Sequence, residues 1–120
     1  MPYINSTKFG EIIIDGKKYY QVLIIGNEVE ERQVDQLEAL FGTTHEIGKW
    51  EKERLLEGNP EIILIGTGQS GAMKVKKELV DYFRQHQIEV ISATTSEIIQ
   101  IYDQKIKEGR KVNALIHTTC

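Results

Sequence analysis

The hexad Gly66-Thr67-Gly68-Gln69-Ser70-Gly71 holds the clearest chemical potential in the chain. Its glycines fall as G-x-G-x-x-G directly after Ile62–Ile65, a short and wholly apolar run. A strand buried on both faces that empties into such a turn sets backbone amides beside an anion. Lys74 stands just downstream, placed to join those amides on a phosphate or carboxylate. Three readings of the loop stand side by side: a structural turn, a site for an anionic small molecule, and a dinucleotide cradle. The last calls for an acid closing the next strand about 20 residues on. Here Glu89 opens that segment and Ser92-Ala93-Thr94 closes it, so no cofactor is expected.

Two histidines and the one cysteine are the other candidates. His45 follows Gly42-Thr43-Thr44 at the start of a helical stretch. It reads either as a surface residue of a capping segment or as a polar group aimed into a cleft, with a ring that titrates near neutral pH. His117 and Cys120 invite a thiol–imidazole pairing. Residues three apart on an extended strand point to opposite faces, so the pair needs a turn after Ala114-Leu115-Ile116. A carboxylate beside Cys120 disfavours its thiolate. His45, His86 and His117 are scattered without metal-ligand spacing, and no metal site is expected.

The elements that must position these groups follow from apolar spacing and turn residues. Phe9 to Ile25 predicts a hairpin through Asp15-Gly16, a favoured two-residue turn. Its return is expected to run from Lys17 to Ile25. Over residues 30–41, Val34, Leu37 and Phe41 follow helical spacing, with Gly42 suited to the residue past a helix end. Thr43-Thr44-His45-Glu46 has the form of a capping box for a helix over about residues 46–57, stopped by Gly58-Asn59-Pro60. The charged run of that helix reads as a solvated face. Trp50 and Tyr102 read as core or subunit-contact residues.

From Ile62 onward strands and helices alternate. Strands are expected at residues 62–65, 88–92 and 112–117, and helices at about 76–86 and 94–108. Leu79, Val80 and Phe83 stripe the first helix; Ile98, Ile99, Tyr102 and Ile106 stripe the second. Thr94-Thr95-Ser96-Glu97 is a second capping box and Gly109 a stop. This alternation demands right-handed crossovers, hence three parallel strands. Their carboxyl ends then share one edge, where open α/β sheets bind ligands. That edge gathers Gly66, Thr67, Gly68, Gln69, Ser70, Gly71, Lys74 and Thr94 as the expected ligand-binding set, with His117, His45 and Cys120 as the candidates for catalysis.

With 120 residues the chain is expected to form one domain. A net charge of −3 leaves no electrostatic footprint for nucleic acid or an anionic membrane. No apolar run approaches the length of a bilayer span. One cysteine excludes an internal disulfide, and Met1-Pro2-Tyr3-Ile4 lacks a signal core or an arginine-rich transit pattern, so a cytoplasmic location is expected.

Gly42-Thr43-Thr44-His45, the apolar strand into Gly66-Thr67-Gly68, Gly71-Ala72-Met73-Lys74-Val75 and the closing His117-Thr118-Thr119-Cys120 together resemble domain-of-unknown-function family 498. The resemblance runs from about Phe9 to Cys120. It implies a single three-layer β/β/α domain, an α/β fold with an N-terminal antiparallel hairpin and a mixed sheet. Gly42, Thr43 and His45 match the family's Gly-Thr-x-His; Gly66 and Gly68 match its loop; His117, Thr119 and Cys120 match its end. Phe41 stands where many members carry a histidine or another polar residue. The family offers no established reaction or cofactor, and its eukaryotic members are associated with assembly and regulatory roles.

Two functional classes result. The first is a non-catalytic protein-interaction or assembly module that self-associates or binds another protein. The second is an anion-binding protein or enzyme with its pocket at the carboxyl edge and His117, with His45, as acid–base groups.

Overall fold

A computed structural model describes residues 1–120. The chain folds into two sheets and four helices. The small sheet is antiparallel in the order β1 (Ile4–Lys8), β2 (Glu11–Ile14), β3 (Lys17–Tyr19). The large sheet has the order β5-β4-β8-β6-β7. Its strands are β4 (Val22–Ile25), β5 (Glu28–Glu31), β6 (Ile62–Thr67), β7 (Glu89–Ala93) and β8 (Val112–His117). The helices are α1 (Val34–Phe41), α2 (Lys49–Leu55), α3 (Lys77–Gln85) and α4 (Thr95–Lys107).

β6 pairs in parallel with both β7 and β8, as the right-handed crossovers require. β4 joins the far side of β8 antiparallel and carries β5 on the edge. Alternation along these strands separates two cores. Val22, Ile24, Ile62, Leu64, Ala114 and Ile116 face the small sheet together with Ile98 and Tyr102 of α4. Leu23, Ile25, Ile63, Ile65 and Leu115 face Leu55 of α2 and Phe83 of α3. The β/β/α layering therefore holds, with α4 sharing the small sheet's side. All six residues of β8 are buried, and the two polar ones, Asn113 and His117, are hydrogen-bonded inside.

The expected hairpin forms at Asp15-Gly16, both at positive φ (49° and 78°). Its return does not run to Ile25. The pairing with β2 ends at Tyr19, and the chain crosses at Tyr20-Gln21 into the large sheet. The apolar residues on both faces of Val22–Ile25 belong to an inner strand, not to a hairpin arm. β1 and β5 are short, polar edge strands outside the expected set; Glu30 and Glu31, expected to open a helix, pair with Leu23 and Val22 in β5, and α1 starts only at Val34.

α1 ends as anticipated on Gly42, at φ 73° with its amide donating to the Glu38 carbonyl at 2.8 Å. Phe41, spaced to face inward, is instead 45% exposed. The capping box at Thr43–Glu46 does not form. The Thr43 hydroxyl accepts from the His45 amide at 3.1 Å in a local turn, and α2 begins later, at Lys49. There Gly48 occupies the N-cap, and the Glu51 carboxylate reaches back to the Gly48 amide at 3.0 Å. Glu51 is fully buried, which overturns the reading of α2 as a wholly solvated charged face. At α4, Thr94 bonds the Glu97 carboxylate at 2.6 Å rather than a backbone amide.

Candidate functional site

The three parallel strands deliver their exits to one rim. Thr67 lies beside His117, and Gly66 beside Ala93, in the sheet register. Thr95, the first residue of α4, stitches them together. Its hydroxyl accepts from the Gly68 amide at 3.0 Å and donates to the His117 carbonyl, while its amide donates to the Gly68 carbonyl at 3.0 Å. Thr67 adds a bond from its hydroxyl to the Ala93 carbonyl at 2.9 Å. Gly66–Gly71, Thr94, His117 and Cys120 thus meet along one edge.

The amides of Gly68, Gln69, Gly71 and Ala72 are already engaged there. The Gln69 amide donates to the Thr119 carbonyl at 2.8 Å, and the Ala72 amide to the Cys120 carbonyl at 2.8 Å. The Ser70 hydroxyl donates to the same Cys120 oxygen at 2.8 Å. Gly68, at φ +105°, is where this close approach demands glycine. A Cβ there would lie 2.7 Å from the Thr119 carbonyl oxygen and closer still to the Cys120 carbonyl carbon. The G-x-G-x-x-G loop is a receptor for the chain's own Thr119-Cys120 segment. The Gln69 side chain, in turn, donates to Thr7 of the small sheet at 3.1 Å.

His117 lies at the end of β8 on the α2–α3 face, fully buried. Gln21 precedes β4, so the β4–β8 register sets it beside His117. The ring's Nδ1 lies 2.9 Å from Gln21 Oε1 and its Nε2 lies 3.0 Å from the Thr119 hydroxyl. Gln21 Oε1 also accepts from Arg32 Nη1 at 2.8 Å, which fixes the amide with oxygen toward both partners. An amide oxygen can only accept, so Nδ1 carries the proton and Nε2 takes the Thr119 hydroxyl hydrogen. Burial foremost, then the neighbouring His45 and Arg32 charges, push the His117 pKa down to about 4. The ring is neutral at physiological pH.

Arg32 holds this network to the rest of the molecule. It is buried and forms a two-pronged pair with Glu51, Nε to Oε2 at 2.7 Å and Nη2 to Oε1 at 2.9 Å. It also donates to the carbonyls of Thr44 at 3.1 Å and Glu46 at 2.9 Å, tying down the segment that carries His45. No buried side-chain polar atom lacks a partner. The network is thus satisfied within the chain and ties these segments together.

His45, half-buried, packs its ring edge-on against His117 with centroids 4.8 Å apart. Lys74 does not join the rim bonds; it lies exposed in an adjoining cleft with Phe41 and Tyr82. The Cys120 side chain is exposed. Gln21, Arg32 and Glu51 escaped the reading of the sequence. Each is a lone polar residue without periodic or motif context, and only the fold brings them together.

Over residues 4–117 the chain matches the profile of a family described as "Protein of unknown function (DUF498/DUF598)". Among solved structures, the conserved hypothetical protein PH1505 from Pyrococcus horikoshii OT3 is 27% identical, with 98% of each chain covered and a TM-score of 0.83. MT938 is 27% identical, with 100% of each chain covered and a TM-score of 0.78. A Bordetella pertussis protein described as a Mth938-like domain is 18% identical over 97% of this chain and 85% of its own, with a TM-score of 0.66. At that identity the last likeness speaks for the fold alone. No helix is long and apolar enough to cross a membrane.

Proposed function

The chain belongs to the DUF498/DUF598 family of proteins of unknown function, and from that premise we propose that it is a non-catalytic contact module, self-associating or gripping another protein in an assembly-type role in the cytoplasm. One observation carries this reading. Key polar groups at the rim are spent on the chain itself: the Gln69 and Ala72 amides on Thr119 and Cys120, His117 on Gln21 and Thr119. Meanwhile Phe9, Tyr20, Leu40 and Phe41 stay exposed, as in surfaces made for contact. Size-exclusion with light scattering, joined to cross-linking of the chain in its native lysate, tests the reading. A concentration-dependent oligomer or a stoichiometric partner is expected. A strict monomer with no partner would contradict it.

A second reading places an anionic small molecule at the carboxyl ends of the parallel strands. The convergence of Gly66–Gly71, Thr94 and His117 at one rim favours it. It requires Thr119-Cys120 to vacate the loop, and a ligand screen by thermal shift would register such binding as added stability.

A further inference from the structure

Beside the rim, where the segment after α1 meets α3, lies an open cleft of about 520 Å³. Ile47, Leu79 and Tyr82 line it, and Phe41 stands at it with 45% of its surface exposed. Four lysines border the same space: Lys49, Lys52, Lys74 and Lys76. Only two carboxylates, Glu46 and Glu78, oppose them. The charges in the cleft therefore sum to +2 (four lysines less two glutamates), on a chain whose net charge is −3.

Most of this positive charge has no internal use. Lys76 pairs with Glu46 at 3.3 Å, yet Lys49, Lys52 and Lys74 have no carboxylate within 4.0 Å. By contrast, Arg54 reaches three glutamates and Arg110 two. Lys52 sits 4.4 Å from the centroid of the Tyr82 ring, so the aromatic wall holds a cation against the apolar lining. Apolar surface ringed by unpaired cations is complementary to an anion that also carries an apolar group.

We propose that this cleft docks an acidic segment of a partner protein, its aspartates or glutamates meeting Lys49, Lys52 and Lys74 and one aromatic or aliphatic side chain seated against Ile47, Leu79 and Tyr82. The proposal rests on the reading of the chain as a contact module and names the face and the chemistry of the contact. A small metabolite fits the cleft less well. Small-molecule sites fix orientation with a few precisely placed polar groups and bury most of the ligand's surface. Here the charged groups are exposed, flexible lysine heads around an open cleft, suited to a row of carboxylates along a peptide.

The test uses three fluorescein-labelled peptides of about twelve residues, a length that covers a typical peptide groove. One is Asp/Glu-rich with a central Leu-Phe, one is polyglutamate, and one is the first peptide with lysine for each acid. Anisotropy at low salt is expected to rank the acidic-apolar peptide about tenfold or more tighter than either control, weakening as salt rises. Amide shifts are expected at residues 47–52 and 74–82. The combined variant Lys49→Glu, Lys52→Glu, Lys74→Glu, at exposed or half-exposed positions, should fold normally and lose about tenfold or more in affinity. No binding, equal binding of the lysine peptide, or unchanged affinity in the variant would overturn the proposal. If light scattering and cross-linking still find an oligomer or partner that the variant retains, the cleft fails and the contact-module reading survives. If neither association nor peptide binding occurs, both fail.

Discussion

The imidazole rings of His45 and His117 meet edge to face, centroids 4.8 Å apart and planes at 89°. This contact joins the Gly-Thr-x-His segment after α1 to the end of β8. Burial, before any neighbouring charge, disfavours a proton on the second nitrogen of His117. His45 beside it and Arg32, one amide away through Gln21, add to that effect on His117. The ring thus serves as a neutral connector, donating to Gln21 and accepting from Thr119.

That neutrality predicts an acid-side loss of stability. The His117 pKa falls from 6.5 unfolded to about 4 folded. Above the unfolded value both states hold the ring neutral and nothing is lost. As pH falls below it, the unfolded chain takes a proton that the native state refuses, so stability declines until the folded pKa is reached. Between about pH 7 and pH 5 this amounts to about 2 kcal/mol. Urea denaturation of His117→Asn should show a shallower decline by roughly that amount across the same interval. Parallel pH profiles for the two proteins would contradict the assignment.

The Arg32–Glu51 pair predicts an asymmetric mutational response. Both side chains are completely buried. Removing one leaves an uncompensated charge inside, so Arg32→Met or Glu51→Leu alone should cost about 3–5 kcal/mol. The double change Arg32→Met with Glu51→Leu should cost markedly less than the sum of the singles, because the residues are in contact. Urea melts of the four proteins measure this. A single substitution costing under about 1 kcal/mol, the worth of an exposed pair, would show that the charges are not sealed in.

Gly68 predicts a steric test of the tail. Gly68→Ala drives a methyl into Thr119 and Cys120 at a positive φ, with an expected cost of about 2 kcal/mol or more. Deleting Thr119-Cys120 should remove most of that penalty, leaving the smaller backbone strain. The substitution should therefore cost less in the shortened chain than in the full one, as thermal melts of the four combinations would reveal. Equal penalties in both backgrounds would mean that the segment does not sit on the loop.

Much of the fold was legible because its signals are local. Ile62–Ile65 ends in glycine, Gly42 and Gly109 close helices at positive φ, and β8 runs from Val112 to His117 as its apolar residues suggest. The shared rim followed from chain connectivity. What escaped depends on partners distant in sequence. β1 (INSTK) and β5 (EVEE) are edge strands whose polar residues carry no apolar alternation. Glu51 resembles its exposed neighbours until Arg32 is placed over it. The glycine spacing of residues 66–71 reports backbone freedom and close approach, and it does so truthfully. It says nothing about which atoms approach, and those turn out to be the chain's own.

The engagement of the glycine loop by Thr119-Cys120 is the claim on which the contact-module reading turns. Amide hydrogen exchange at Gln69 and Ala72, followed by NMR with and without inorganic phosphate, tests it most directly. Both amides should be protected, and phosphate should leave their exchange and chemical shifts unchanged. Fast exchange at both, with saturable shifts on adding phosphate, would mean that the loop is an open anion site and that the tail does not fill it.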